Sequence, residues 1–246
     1  MKIALIGGSG LYDFEGIDVQ STDMPDTPYG QPSDAIVTGT YHQHQLMFLA
    51  RHGKEHQIPP HQVNYRANIR ALKDLGAEQI IAVNAVGGIA DNLQPGDIII
   101  PDQIIDYTYG REHTFYDDFS AGVEHIDFTY PFDESLRAEL LSAKKDHEHI
   151  RIHSTGVYGC TQGPRLETLT EILRMKNDGC TLVGMTAMPE AALARECDLP
   201  YISICTVANM AAGLTDELIT MDDVFKVLET GLQNTKEIIK HYLSTH

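Results

Sequence analysis

Short runs of aliphatic and β-branched residues alternate along the chain with longer stretches of helical period, which predicts an α/β fold with a central sheet. The strand-like runs are 2–6, 35–37, 46–50, 79–86, 97–100, 156–158, 181–185 and 201–207. Helical period covers 60–75, 135–145, 167–176, 189–197 and 221–242. Pro60 near a first turn and Gly76 just past Leu75 mark the start and stop of one of these helices. From Tyr107 to Phe132 no period is visible, and the stretch is rich in aromatic, His and Asp residues. It is too long for a passive connection and reads as a working loop. No internal repeat, low-complexity tract or shift of composition interrupts the 246 residues. The expectation is therefore a single domain over 1–246, a mixed central β-sheet flanked by helices.

Composition narrows the class. Hydrophobic residues make up 42% and charged residues 22%, the mixture of a globular protein, and no apolar run reaches the length that spans a bilayer. No membrane association is expected. The first ten residues, MKIALIGGSG, carry one Lys and run into glycines instead of a cleavage site, so no export signal is read there. Cys160, Cys180, Cys197 and Cys205 sit in apolar surroundings without a CxxC pair, which favours reduced core thiols and a cytoplasmic setting. The net charge of −17 argues against nucleic acid as a partner, because a phosphate backbone needs a basic footprint. A small anion would have to be held by a few local donors.

Candidate chemistry gathers at strand ends. Gly7-Gly8-Ser9-Gly10 follows the first strand, where small residues let backbone N–H groups and the Ser9 hydroxyl approach an anion; a plain tight turn fits the glycines as well. A dinucleotide fingerprint would need a third glycine where Asp13 stands, and an acid there would repel a pyrophosphate. Arg51 and His52 end the strand 46–50, a place where α/β proteins bind ligands. Arg offers a fork to two phosphate oxygens and His a directional N–H, unless the pair only makes a surface salt bridge. His52 and His56 are four apart, but HGKEH is not HExxH and no metal is expected. Asn84-Ala85-Val86-Gly87-Gly88 closes another strand, so ends carrying Ser9, Arg51 and Ala85 can surround one anion. Gly163-Pro164 turns into a helical stretch whose first turn would hold Glu167, as a helix-dipole partner or as a ligand. Met185-Thr186 precedes Pro189 in the same arrangement. Asn209, at the end of strand 201–207, is either a turn former or a reader of a heterocyclic edge.

Taken in order, GGSGL, TPYGQPSD, LARHG, VNYRANIRAL, NAVGG, QPGDIIIPDQ, EHIDFTYPF, GPRLET and GMTAMPEAALARE span nearly the whole chain. Together they resemble the purine nucleoside phosphorylase family, in its methylthioadenosine and methylthioinosine branch. The resemblance implies one α/β domain assembled as a homotrimer. It implies phosphate held by Ser9, Arg51, His52, Ala85 and Thr186, and ribose packed on Met185. His125 would be lent across a subunit interface toward the 5' end. Glu167, Asn209, Leu166, Val86 and Gly87 would hold the purine. Inorganic phosphate would be the co-substrate, with no organic cofactor and no metal.

Two positions bear on the substrate. In the adenine-cleaving branch the residue matching Asn209 is typically Asp, which accepts from a 6-amino group; Asn209 can accept from a protonated N7 and donate to a 6-oxo group. An ionised Glu167 accepts from the N1–H of a 6-oxopurine but faces a lone pair on adenine N1. Where relatives that use a 5'-hydroxyl carry His, this chain aligns Met221, with Ile219 and Val224 beside it, which suits a methylthio group. The expectation is 5'-methylthioinosine. Alternatives are a methylthioadenosine phosphorylase that reads adenine through water or a protonated Glu167, a broader purine nucleoside phosphorylase, a catalytically silent purine binder, and a nicotinamide-dependent oxidoreductase. A part for Asp216 or Asp222 is left open.

Overall fold

The computed structural model describes residues 1–12, 14–118, 122, 124–215 and 221–246, without the side chains of Ser9, Met221, Asp222 and Asp223. Strand β1 (Lys2–Gly7) is apolar and buried from Ile3 onward, as befits the middle of a sheet covered on both faces. Each buried Ile or Leu there contributes about 1.5–3 kcal/mol. It lies parallel between β4 (His44–Ala50) and β5 (Gln79–Gly88). Beyond β4 the pairing turns antiparallel, through β3 (Ile36–Tyr41) to the edge strand β2 (Asp18–Asp23).

At β5 the sheet divides. Its body runs parallel to β11 (Tyr201–Met210), while Gly87 and Gly88 at its end pair antiparallel with β10 (Leu182–Gly184). One branch continues from β10 through β9 (Val157–Cys160) to β7 (Gln103–Asp106). The other runs from β11 through β6 (Ile98–Ile99) to β8 (Ile152–His153). A register shift between Val207 and Asn209 bends β11 at the level of the fork, as bulges do. The C-terminal ends of β1, β4, β5, β10 and β11 are thereby turned toward one space.

The helices are α1 (Tyr65–Asp74), α2 (Glu134–Ser142), α3 (Leu169–Asp178), α4 (Ala187–Glu196) and α5 (Met221–Thr245). The stretch 60–75 is not one helix: Pro60–Gln62 forms a 3-10 turn, and α1 starts after Asn64, whose side chain accepts from the Ala67 N–H. An Asn cap satisfies a free donor of the first turn, which Pro60 cannot do. Helix α3 starts two residues later than expected, because Thr168 and Glu171 form a reciprocal capping box.

Three strands carry no sequence signal strong enough to be read. β2, Asp-Val-Gln-Ser-Thr-Asp, is exposed along most of its length, so nothing forces an apolar alternation; β7 and β8 are too short for a period. The stretch 107–132 has no helix or strand among its described residues, yet it is pinned. The Thr114 hydroxyl and the Phe115 N–H both donate to the Glu196 carboxylate at 2.7 Å. All four cysteines are free thiols, and no described helix is long and apolar enough to cross a membrane.

Candidate active site

A cavity of about 1010 Å³ opens at the converging strand ends, at the upper end of the size of small-molecule sites. It brings together ten of the residues singled out above: Arg51, His52, Ala85, Thr186, Met185, Glu167, Asn209, Leu166, Val86 and Gly87 all line it. Ser9 opens a 3-10 turn between the lining residues Gly8 and Gly10, but its side chain is outside the description, as is that of Met221 at the start of α5. Ile219 and Asp216 also fall outside the described residues. His125 is exposed and does not line this chain's cavity.

Arg51 is almost fully buried, and the protein has already claimed most of its hydrogens. Nε and Nη2 donate to the two oxygens of Glu190 at 2.7 and 2.8 Å, Nη2 also to Ile6 O at 3.4 Å, and Nη1 to Val83 O at 3.1 Å. Glu190, 0% exposed, further accepts from the Tyr201 hydroxyl at 2.9 Å. Burial opposes the Arg51 charge, but the Glu190 carboxylate and its hydrogen bonds raise the guanidinium pKa further above its already high value. Of the five N–H groups, one on Nη1 is left without a described acceptor, so what Arg51 can still offer is a single N–H and not the free fork expected from the sequence.

His52 differs from expectation. Its Nδ1 lies 2.8 Å from Ile58 O, and a carbonyl only accepts, so Nδ1 carries the hydrogen. Burial first, then the neighbouring Arg51 charge, lower its pKa to about 4. At neutral pH His52 therefore presents the bare Nε2 of a neutral ring, an acceptor, and not the cationic N–H read from the sequence. Thr186 is the opposite case. The Ser203 hydroxyl donates to Asn84 Oδ1 at 2.7 Å, which orients the amide so that Asn84 Nδ2 donates to Thr186 Oγ1 at 2.6 Å. Thr186 Oγ1 thus accepts, and its own hydrogen can be donated, with the buried Tyr158 hydroxyl as one acceptor within reach.

Glu167 stands before the α3 cap and not in the helix's first turn. The carboxylate in that turn is Glu171, held by Arg165 at a pKa of about 2, and this leaves Glu167 to the cavity, where it accepts from the Thr161 hydroxyl at 2.6 Å. Asn209 Nδ2 gives one hydrogen to Met210 O at 2.7 Å, and one amide hydrogen and the Oδ1 lone pairs remain. Gly163 sits at φ +61°, and a Cβ there would lie 2.6 Å from Met185 Sδ. Glycine lets the 163–167 segment close over the wall.

Sequence reasoning missed two groups. Arg111, in the periodless stretch, is 8% exposed and reaches Met185 O, Met188 O, Thr161 O and Gln162 O at 2.5–3.1 Å. It ties the ends of β9 and β10 together through backbone carbonyls, with the Gln162 side-chain oxygen and the Tyr65 hydroxyl as further acceptors at 3.2 and 3.3 Å, and no periodicity could reveal a cation held chiefly by main chain. The second is the inner face of α5 beyond Val224: Phe225, Leu228 and Leu232 line the cavity with Val224 and Leu11. Phe225 remains 62% exposed. The i, i+3, i+4 spacing was a signal for it, and the apolar wall assigned to Met221 is shared by this whole face.

The cavity at the strand ends joins Arg51 of the buried Arg51–Glu190 pair with Glu167, Asn209 and an apolar face of α5, the lining of an enzyme site for a polar small molecule with an apolar part. The chain belongs to the phosphorylase superfamily, whose family model matches residues 2–244. It is 50% identical over 241 residues to a probable S-methyl-5'-thioinosine phosphorylase of Pseudomonas syringae pv. tomato, covering 98% of each chain. It is 42% identical to a 6-oxopurine nucleoside phosphorylase of Pyrococcus furiosus, over 99% of this chain and 91% of that one. Among solved structures it is similar to a methylthioadenosine phosphorylase of Schistosoma mansoni in complex with adenine. That likeness has a TM-score of 0.92 and 34% identity, covering all of this chain and 91% of the other.

Proposed function

We propose that the chain cleaves the bond from N9 to C1' of 5'-methylthioinosine with inorganic phosphate, giving hypoxanthine and 5-methylthioribose 1-phosphate. The observation that carries this reading is the pairing of Asn209 and Glu167 in one cavity with Arg51, His52 and Thr186. As the bond breaks, the sugar becomes oxocarbenium-like and the purine accumulates electrons. Phosphate held beneath C1' by the free Arg51 N–H, the Thr186 hydroxyl and the Ala85 end of β5 acts as nucleophile and counter-charge. His52 Nε2 accepts the hydrogen of a protonated phosphate oxygen. Asn209 Oδ1 accepts from N7–H while its remaining amide hydrogen donates to O6, and Glu167 accepts from N1–H. N7 takes its proton from water as phosphate gives one up to water, so the base leaves neutral and the charges balance, and no enzyme-bound intermediate or organic cofactor is needed.

The α5 face of Val224, Phe225 and Leu228 receives the methylthio group, which gains from apolar contact where a 5'-hydroxyl would find no partner. His125 reaches the 5' end of a neighbouring subunit's site in a homotrimer; its exposure away from its own cavity supports that reading. The free thiols fit a cytoplasmic enzyme. The adenine held by the Schistosoma mansoni protein favours the second reading, a methylthioadenosine phosphorylase. Phosphate-dependent turnover of methylthioinosine and methylthioadenosine by the purified protein separates the two: the first should be the better substrate, and equal or faster cleavage of the second overturns the base assignment.

A further inference from the structure

Outside the cavity, two histidines of a surface turn and a carboxylate of the last helix bring three ligand atoms together. The turn after α2 reads Asp146-His147-Glu148-His149, and α5 presents Glu237 beside it. Glu237 Oε2 lies 3.3 Å from His147 Nδ1 and 3.0 Å from His149 Nε2, and all three ligand atoms fall within 4.8 Å of one another. A tetrahedral zinc ion with ligands at about 2.0–2.1 Å holds them about 3.3–3.4 Å apart. Two edges of that tetrahedron already stand near their length, and the third pair has only to close a little. None of the three residues lines the cavity.

The Glu237 oxygen shares a hydrogen bond with His149 Nε2 at 3.0 Å, and His147 Nδ1 faces the same oxygen. With neutral rings, two imidazole nitrogens and a carboxylate are turned toward one point, a nitrogen and oxygen donor set suited to zinc. His241, one helical turn beyond Glu237, packs edge-on against His147 with ring centroids 5.6 Å apart, and its Nδ1 lies 3.6 Å from Asp146 Oδ2. That contact braces the His147 ring, as neighbours of metal ligands commonly do. His149 is largely exposed, which leaves the fourth position to water.

We propose that His147, His149 and Glu237 form a binding site for a zinc-class divalent ion, with water as fourth ligand, that pins the 146–150 turn to α5. No metal was expected from the sequence, and this site, separate from the cavity, departs from that expectation. The test uses the full untagged chain, stripped with EDTA and titrated with ZnCl₂ by calorimetry at neutral pH, with thermal unfolding alongside. One ion should bind per chain and raise the unfolding midpoint, since a ligand of the folded state alone stabilises it. His149→Ala and the isosteric Glu237→Gln should each weaken binding at least about tenfold and remove the rise. Absence of saturable binding overturns the proposal. So does unchanged affinity in either folded variant, which would place the ion on others of the twelve histidines.

Discussion

Folding leaves Arg51 with its hydrogens given to Glu190, Ile6 and Val83 save one on Nη1, and His52 with a lone pair instead of a charge. What each side chain has left after folding, not its residue type, sets its role. The same holds for Asn209, whose one free amide hydrogen suits a 6-oxo acceptor. Asn209→Asp replaces that donor by an acceptor, and the ratio of kcat/KM on methylthioinosine to that on methylthioadenosine should fall at least about tenfold; an unchanged ratio would remove Asn209 from base recognition. His52 also leaves a mark on stability. Burial and the Arg51 charge hold its folded pKa at about 4, and burial lowers that of His44 too. Unfolded imidazoles titrate near about 6.5. Between those values the unfolded chain binds more protons, so this contribution to stability is complete above about pH 6.5 and is lost as the pH falls toward about 4. Thermal midpoints should therefore drop between about pH 7 and pH 5, and the drop should be smaller in a His44→Asn, His52→Asn double variant; a flat profile in the parent chain contradicts it.

At the scale of elements, the strands that carry the site were legible because they are buried apolar runs: β1, β4, β5, β10 and β11 all announce themselves, and their ends hold Arg51, Ala85, Thr186 and Asn209. The fork of the sheet was not legible. It depends on which strands Gly87 and Gly88 pair with, and glycines carry no side-chain pattern to specify a partner or register. Nor was Arg111, which acts on four main-chain carbonyls from a stretch with no period. Arg111→Met would leave those acceptors buried and unpaired, at about 1–3 kcal/mol for each that water cannot reach. Urea unfolding should show a loss of about 3 kcal/mol or more, with kcat/KM falling as the Met185 wall loosens. A loss under about 1 kcal/mol would mean that the loop is held elsewhere, through Thr114 and Phe115 on Glu196.

For the whole molecule, a net charge of −17 makes phosphate an unlikely guest for the surface at large and confines anion binding to local donors. If His125 acts in a neighbour's site, chains lacking Arg51 and chains lacking His125 should rescue one another. Arg51→Ala and His125→Ala proteins, each weakly active, should regain turnover when refolded together, because some mixed sites join an intact Arg51 to an intact His125. Additive activity without rescue would place His125 outside catalysis. The central claim, that Asn209 and Glu167 select a 6-oxopurine in a phosphate-dependent cleavage, is tested most directly by kcat/KM for 5'-methylthioinosine and 5'-methylthioadenosine on the same preparation with and without phosphate. The account predicts phosphate-dependent cleavage with a clear preference for methylthioinosine. Equal or faster cleavage of methylthioadenosine, or turnover indifferent to phosphate, would contradict it.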